Sequence, residues 1–124
     1  MRQTILFFLF ACCFTWLSHA ADISPITSAF QKGDASTITK LLDAKADVSI
    51  SFATSAGNSD KAKNLLLTFF AKNKPSALKV LHHADKQSSG FFVGKLQTES
   101  GTFRINVGYR SEGNTAIIQS ISIE

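Results

Sequence analysis

Cysteine is nearly missing from this 124-residue chain. Only Cys12 and Cys13 occur, side by side near the amino terminus. With the first 20 residues assigned to a targeting segment, as argued below, none is left. Disulfides, thiol catalysis and cysteine-held metal are then excluded. Proline occurs only at Pro25 and Pro75, and 18% of residues are charged against 44% hydrophobic. That balance is too apolar for a disordered chain, and the length is too short for two ordinary domains. No glycine-rich phosphate loop is present, and the aromatic residues do not interleave with the basic ones as stacking on bases requires. Nucleic acid is therefore not an expected partner.

What the amino terminus does have is a three-part layout. Met1-Arg2-Gln3-Thr4 is a short positive start, Ile5 to Leu17 is apolar except for Thr15, and Ser18-His19-Ala20 ends in small residues. This is the pattern of a secretory signal peptide cleaved after Ala20. A helix over that apolar run spans about 20 Å, short of the roughly 30 Å hydrocarbon core of a bilayer. The expectation is an exported chain, periplasmic or extracellular, with residues 1–20 as signal, 21–124 as one domain and no transmembrane segment. A competing pattern is Leu9-Phe10-Ala11-Cys12, which resembles a bacterial lipobox and would anchor the chain through a lipid on Cys12. Against it, the stretch after Cys12 stays apolar through Leu17. Loss of Arg2 lowers the net charge from +4 to +3. The remaining chain of about 104 residues can bury roughly 60–65% of its unfolded surface and carry its own core.

Ser24-Pro25 predicts a helix start with Ser24 as N-cap, and Gly33 its stop. Asp34 can cap a second short helix carrying Ile38, Leu41 and Leu42. Val48, Ile50 and Phe52 alternate with serines as a half-buried strand does. From Ser59, the residues Ala62, Leu65, Leu66, Phe69 and Phe70 form the apolar stripe of the longest helix, ended by Asn73 and Pro75. Four strands follow, with turns at Gln87 to Gly90, Ser100-Gly101 and Glu112 to Asn114. The order predicts an α+β domain, with helices on one face of an antiparallel sheet.

Two resemblances bear on this reading. Ala29 to Asp34 together with Leu41 to Val48 looks like the core of an ankyrin repeat. The Thr-Pro-Leu-His opening and stacked neighbours are absent, however, so it is read as a decoy. The mature chain as a whole resembles a family of secreted bacterial proteins known only as a domain of unknown function, in the nuclear-transport-factor-2-like (cystatin-like) superfamily. The resembling pieces are Ile23 to Asp34, Lys63 to Phe70, Leu78 to His82, Gly101 to Ile105 and Ile118 to Glu124. The resemblance implies a cone: a strongly curved sheet wrapped around one long and two shorter helices, its mouth able to hold a small ligand. It implies no particular activity, because that superfamily spans enzymes, carriers and assembly modules.

Candidate site residues follow from strand parity. His82 shares the parity of Leu78 and Val80 and is expected to face inward. Tyr109 ends the inward row Phe103, Ile105, Val107, and Gln119 interrupts the row Ile117, Ile121, Ile123. His82, Tyr109 and Gln119 are thus the candidate pocket groups, or else hydrogen-bonded core and rim residues. Adjacent His82 and His83 point to opposite faces and cannot chelate one metal. The carboxylates fall at helix starts (Asp22, Asp34, Asp60) or at turns and element ends (Asp43, Asp47, Asp85, Glu99, Glu112, Glu124), leaving no evident interior acid or base. Lys79, Lys95, Arg104 and Arg110 share outward parity as a basic face. It is read either as solvated surface or as a site for an anionic glycan or lipid headgroup.

The reading is a secreted, non-catalytic domain that binds a small or anionic ligand or a protein, a second copy through the sheet included. No metal or cofactor is called for. The alternative is a small periplasmic enzyme using His82 and Tyr109. An enzyme needs those groups converging in an open cavity, whereas a binding scaffold fills its cone with Phe and Leu.

Overall fold

The computed structural model describes residues 22–51, 53–86 and 88–124. The signal segment, the Cys12 lipobox, Phe52 and Gln87 lie outside them. In chain order the elements are α1 (Ser24–Lys32), α2 (Ala35–Leu41), β1 (Leu42–Ile50), β2 (Ala53–Thr54), α3 (Ser59–Lys72), β3 (Pro75–Asp85), β4 (Ser89–Thr98), β5 (Gly101–Glu112) and β6 (Thr115–Ile123). The strands form one curved, unclosed sheet in the order β2-β1-β6-β5-β4-β3.

Helix ends follow the local chemistry, with one reassignment. Asp22, not Ser24, serves the first helix: its Oδ1 accepts the Ser24 N–H at 2.9 Å. Gly33 stops α1 at φ 67°, and the Asp34 N–H turns back to the Ala29 carbonyl at 2.9 Å. A β-carbon on Gly33 would also lie 2.8 Å from Pro75 Cδ, so the residue is fixed by close approach as well as by conformation. The Asp34 side chain accepts from Thr37 N at 3.1 Å, capping α2 as expected. The longest helix, α3, opens at Ser59 as expected, and the Asn58 side chain caps it by accepting from the Lys61 N–H. Asp60 in its first turn and Lys72 in its last complement the helix dipole.

The segment that looks like an ankyrin core runs from the end of α1 through α2 into β1, with Leu42 starting the strand instead of ending the helix. β1 runs parallel to β6, with Val48 beside Ile121. The sheet is therefore mixed where an antiparallel one was expected. The physical reason is the crossover: α3 separates β1 from the four-strand meander, and no hairpin dictates its direction.

The core lies between the helices and one face of the sheet. Ile26 and Phe30 of α1, Ile38 of α2, and Leu66, Phe69 and Phe70 of α3 pack onto Phe92, Leu96, Ile105, Val107, Ile118, Ile121 and Ile123. Three edge-on aromatic contacts run through it: Phe30–Phe70, Phe69–Phe70 and Phe69–Phe103, with centroids 6.1, 5.2 and 5.0 Å apart. Leu65, expected in the buried stripe, is half-buried at its margin.

Of the register shifts in the sheet, two move candidate residues off their expected face. On β3, Val80 pairs with Gly94 but His82 with Val93, so Leu81 is the extra residue. On β6, Ser120 pairs with Gly108 but Ile118 with Tyr109, so Gln119 is extra. Each extra residue reverses the face presented by everything beyond it. Among the described residues no helix is long and apolar enough to cross a membrane.

Candidate functional site

The bulges decide which candidate groups meet. His82 does not face inward. Beyond Leu81 it shares the outer face with Val93 and lies exposed, its ring 5.6 Å from that of Phe91. His83 takes the inner position opposite Phe92. Gln119 is likewise exposed at the β6 bulge, and the inner row of that strand is Ala116, Ile118, Ile121, Ile123. Tyr109 sits where parity places it, 1% exposed.

Register carries Tyr109 to partners that the parity of single strands does not show. Tyr109 lies opposite Gly90, and Gly90 opposite Asp85, in one row across β5, β4 and β3. The outer two are separated by about 10 Å of sheet, and the tyrosine spans that gap by lying over the glycine. A β-carbon on Gly90 would stand 2.6 Å from the Tyr109 oxygen and 2.7 Å from the Ala84 carbonyl. The phenol ends in a closed triangle. It donates to Asp85 Oδ1, and His83 Nε2 lies 2.9 Å from the phenol oxygen and 3.1 Å from Asp85 Oδ1. The phenol has one proton, given to Asp85, so His83 must carry its proton on Nε2 for the remaining contacts to be hydrogen bonds.

Asp85 is thus a carboxylate on the inner face, where none was expected. It closes β3 as a strand-end residue should, but the β3–β4 register aims it at the phenol. Burial of the ring, then the hydrogen bond and charge of Asp85, raise the Tyr109 pKa above its ordinary 10. Tyr109 is accordingly a neutral donor at any physiological pH. His83 and Asp85 keep 36% and 29% of their side chains in solvent. The triangle is a lid on the sheet margin, with the apolar core beneath it and water above.

The described residues line several grooves, one of them bordered by Ala84 and Gly90 beside the triangle. One of about 250 Å³ opens at the far end of β5, between Ile50, Leu65, Phe69, Lys72 and Phe103. A second, of about 350 Å³, lies where α2 meets α3, and a third, of about 190 Å³, lies at the β3–β4 hairpin beside Phe91. Among the described residues no three His, Cys, Asp or Glu side chains converge as metal ligands.

The four outward cations divide. Lys79 stands opposite Lys95, and Lys95 opposite Arg104, in one row over three strands. Arg110, also outward, is drawn out of that basic face. Its Nε is 3.4 Å from Asp43 Oδ2 and its Nη1 is 2.5 Å from Glu112 Oε2. The Lys45 backbone N–H and then Arg110 hold the Asp43 carboxyl below the usual carboxylate range.

A curved open sheet wrapped over one long and two short helices defines an α+β domain of the nuclear-transport-factor-2-like class. Within that class the chain belongs to the family "Domain of unknown function (DUF4783)", whose model matches residues 23–124. It is similar to a family member from Bacteroides fragilis YCH46, at 31% identity and TM-score 0.72, covering 81% of this chain and 94% of that one. A member from Bacteroides ovatus ATCC 8483 is 28% identical over 81% of this chain and 91% of that one, TM-score 0.73. The fold alone is shared with a hypothetical protein of ketosteroid isomerase-like fold from Catenulispora acidiphila DSM 44928, solved in complex with trimethylamine. That likeness is 10% identical over 82% of each chain, TM-score 0.60. No curated protein matches the chain.

Proposed function

We propose that the chain is exported and acts as a non-catalytic binding domain that meets its partner through the outer face of the sheet. The observation that carries this is the filled interior. Phe30, Leu66, Phe69 and Phe92 are buried in one continuous apolar core between helices and sheet, and Tyr109 is buried with them. Export rests on the three-part amino terminus. The test has two parts. Intact mass of the periplasmic fraction should give a chain beginning at Ala21, and a diacylglyceryl mass on Cys12 would replace free export with anchoring. Native mass spectrometry of that material should show no retained small molecule. A retained molecule displaced by Tyr109→Phe would overturn the reading.

The triangle of His83, Asp85 and Tyr109 favours a second reading, a small enzyme in which His83, not His82, works beside the tyrosine. A hydrolase and isomerase panel would establish it by an activity lost in His83→Asn and in Tyr109→Phe but kept in Phe91→Ser.

A further inference from the structure

The outer face of β3, β4 and β5 joins two features that water alone does not favour. The first is the row Lys79, Lys95, Arg104. Side chains directly opposite on neighbouring strands stand about 5 Å apart, and like charges there destabilise the sheet. Among the described residues none of the three has a carboxylate within 4 Å, although Glu124, just past the end of β6, lies across from Arg104. The same face neutralises Arg110 twice over, so the unmatched row is a local property.

The second feature is apolar. Leu81 and Phe91 are 47% and 43% exposed, and Val93 lies between Phe91 and Lys95 along the outer face of β4. Leu81 is the bulge residue that follows Val80 and Lys79. Large apolar side chains and cations therefore share one patch, the apolar part towards the β3–β4 hairpin and the cations towards the other end of the strands.

We infer that this patch docks on an anionic lipid surface, with Lys79, Lys95 and Arg104 against the phosphates and Leu81 and Phe91 in the interfacial layer. Basic groups beside exposed Leu and Phe are what such an interface selects. A soluble polyanion would engage the cations and leave Leu81 and Phe91 in water. A second copy related by a two-fold axis through the row would set cations against cations. The inference rests on the reading that the outer face binds, and names the surface it binds.

The test is co-sedimentation of the purified chain with phosphatidylcholine vesicles, with and without phosphatidylglycerol, at low and high salt. Binding should require phosphatidylglycerol and weaken with salt. Each cation near the surface contributes about fivefold, so Lys95→Glu/Arg104→Glu should weaken binding at least twentyfold. Leu81→Ser/Phe91→Ser should also weaken it, while the dependence on phosphatidylglycerol remains. Melting curves check that the variants fold. Absence of binding at low salt overturns the inference. So does heparin binding that competes fully and ignores Leu81→Ser/Phe91→Ser: the patch is then a soluble-polyanion site, and the outer-face reading stands. An acidic protein that binds the patch while vesicles do not has the same meaning. A partner whose binding ignores every outer-face variant removes the outer-face reading as well.

Discussion

The two faces of β4 and β5 use the same alternation to opposite ends. On the inner face Phe92, Leu96, Ile105, Val107 and Tyr109 are shut away under three helices. On the outer face, one residue along each strand, Phe91, Lys95 and Arg104 stand in solvent. Inside, every large group has found a partner, including the one phenol. Outside, like charges are opposed and an apolar ring is left wet. The lesson is that stability and recognition are separated by a single residue step, so substitutions on adjacent positions should have unlike consequences.

The largest expected difference is between a phenylalanine of the core and one on the outer face. Phe69→Ala removes a ring that is 5% exposed and should cost about 3–5 kcal/mol of a total near 5–15 kcal/mol. Phe91→Ser should shift the denaturant midpoint little. Equal losses in the two urea melts would break the comparison. Next comes Gly90→Ala, which should cost about 1–3 kcal/mol through overpacking on Tyr109 and Ala84. Combined with Tyr109→Ala the cost should be markedly sub-additive, and simple additivity would mean that the ring does not lie over the glycine.

Tyr109→Phe should cost about 1 kcal/mol as the bonds to Asp85 and His83 are lost. It also carries a pH signature. The folded phenol keeps its proton where the unfolded one, near pH 10, gives it up. Above that pH the unfolded state binds fewer protons, so stability falls as pH rises, by up to about 1.4 kcal/mol per unit. Below it this contribution is constant. The alkaline slope should be smaller in Tyr109→Phe, and an unchanged slope would place the phenol in water. The smallest effect has the opposite sign. Lys95→Glu should raise the melting temperature by relieving the cation row, most at low salt, while weakening vesicle binding. A lowered melting temperature would mean that the row is not in contact.

Much of this was legible in the sequence. β5 keeps unbroken alternation, so Phe103 to Tyr109 could be assigned to the interior without a structure. The α3 stripe was legible for the same reason, since Ala62, Leu66, Phe69 and Phe70 repeat at helical spacing. His82 and Gln119 were misplaced because bulges at Leu81 and Gln119 carry no glycine or proline to announce them, and one extra residue exchanges the faces. Asp85 was within reach. The tight turn between Thr98 and Gly101 fixes the hairpin register and alone sets Gly90 opposite Tyr109. A glycine inside a strand marks a close approach. The parallel β1–β6 pair was not legible, because no local turn sets the direction of strands that far apart in sequence.

β3 is 11 residues long and, among the described residues, ends the sheet with no strand beyond it. A long, regular edge is a template on which a neighbouring molecule can stack, and stacks of such edges grow into fibrils. The extra residue at Leu81 bends that template in its middle, so two such edges cannot stay in step past it. Lys79 and Lys86 place charge on the same strand and just after it. The irregularity that moved His82 out of the interior is thus also a guard on solubility. Deleting Leu81 should straighten the edge and yield a chain that aggregates on concentration.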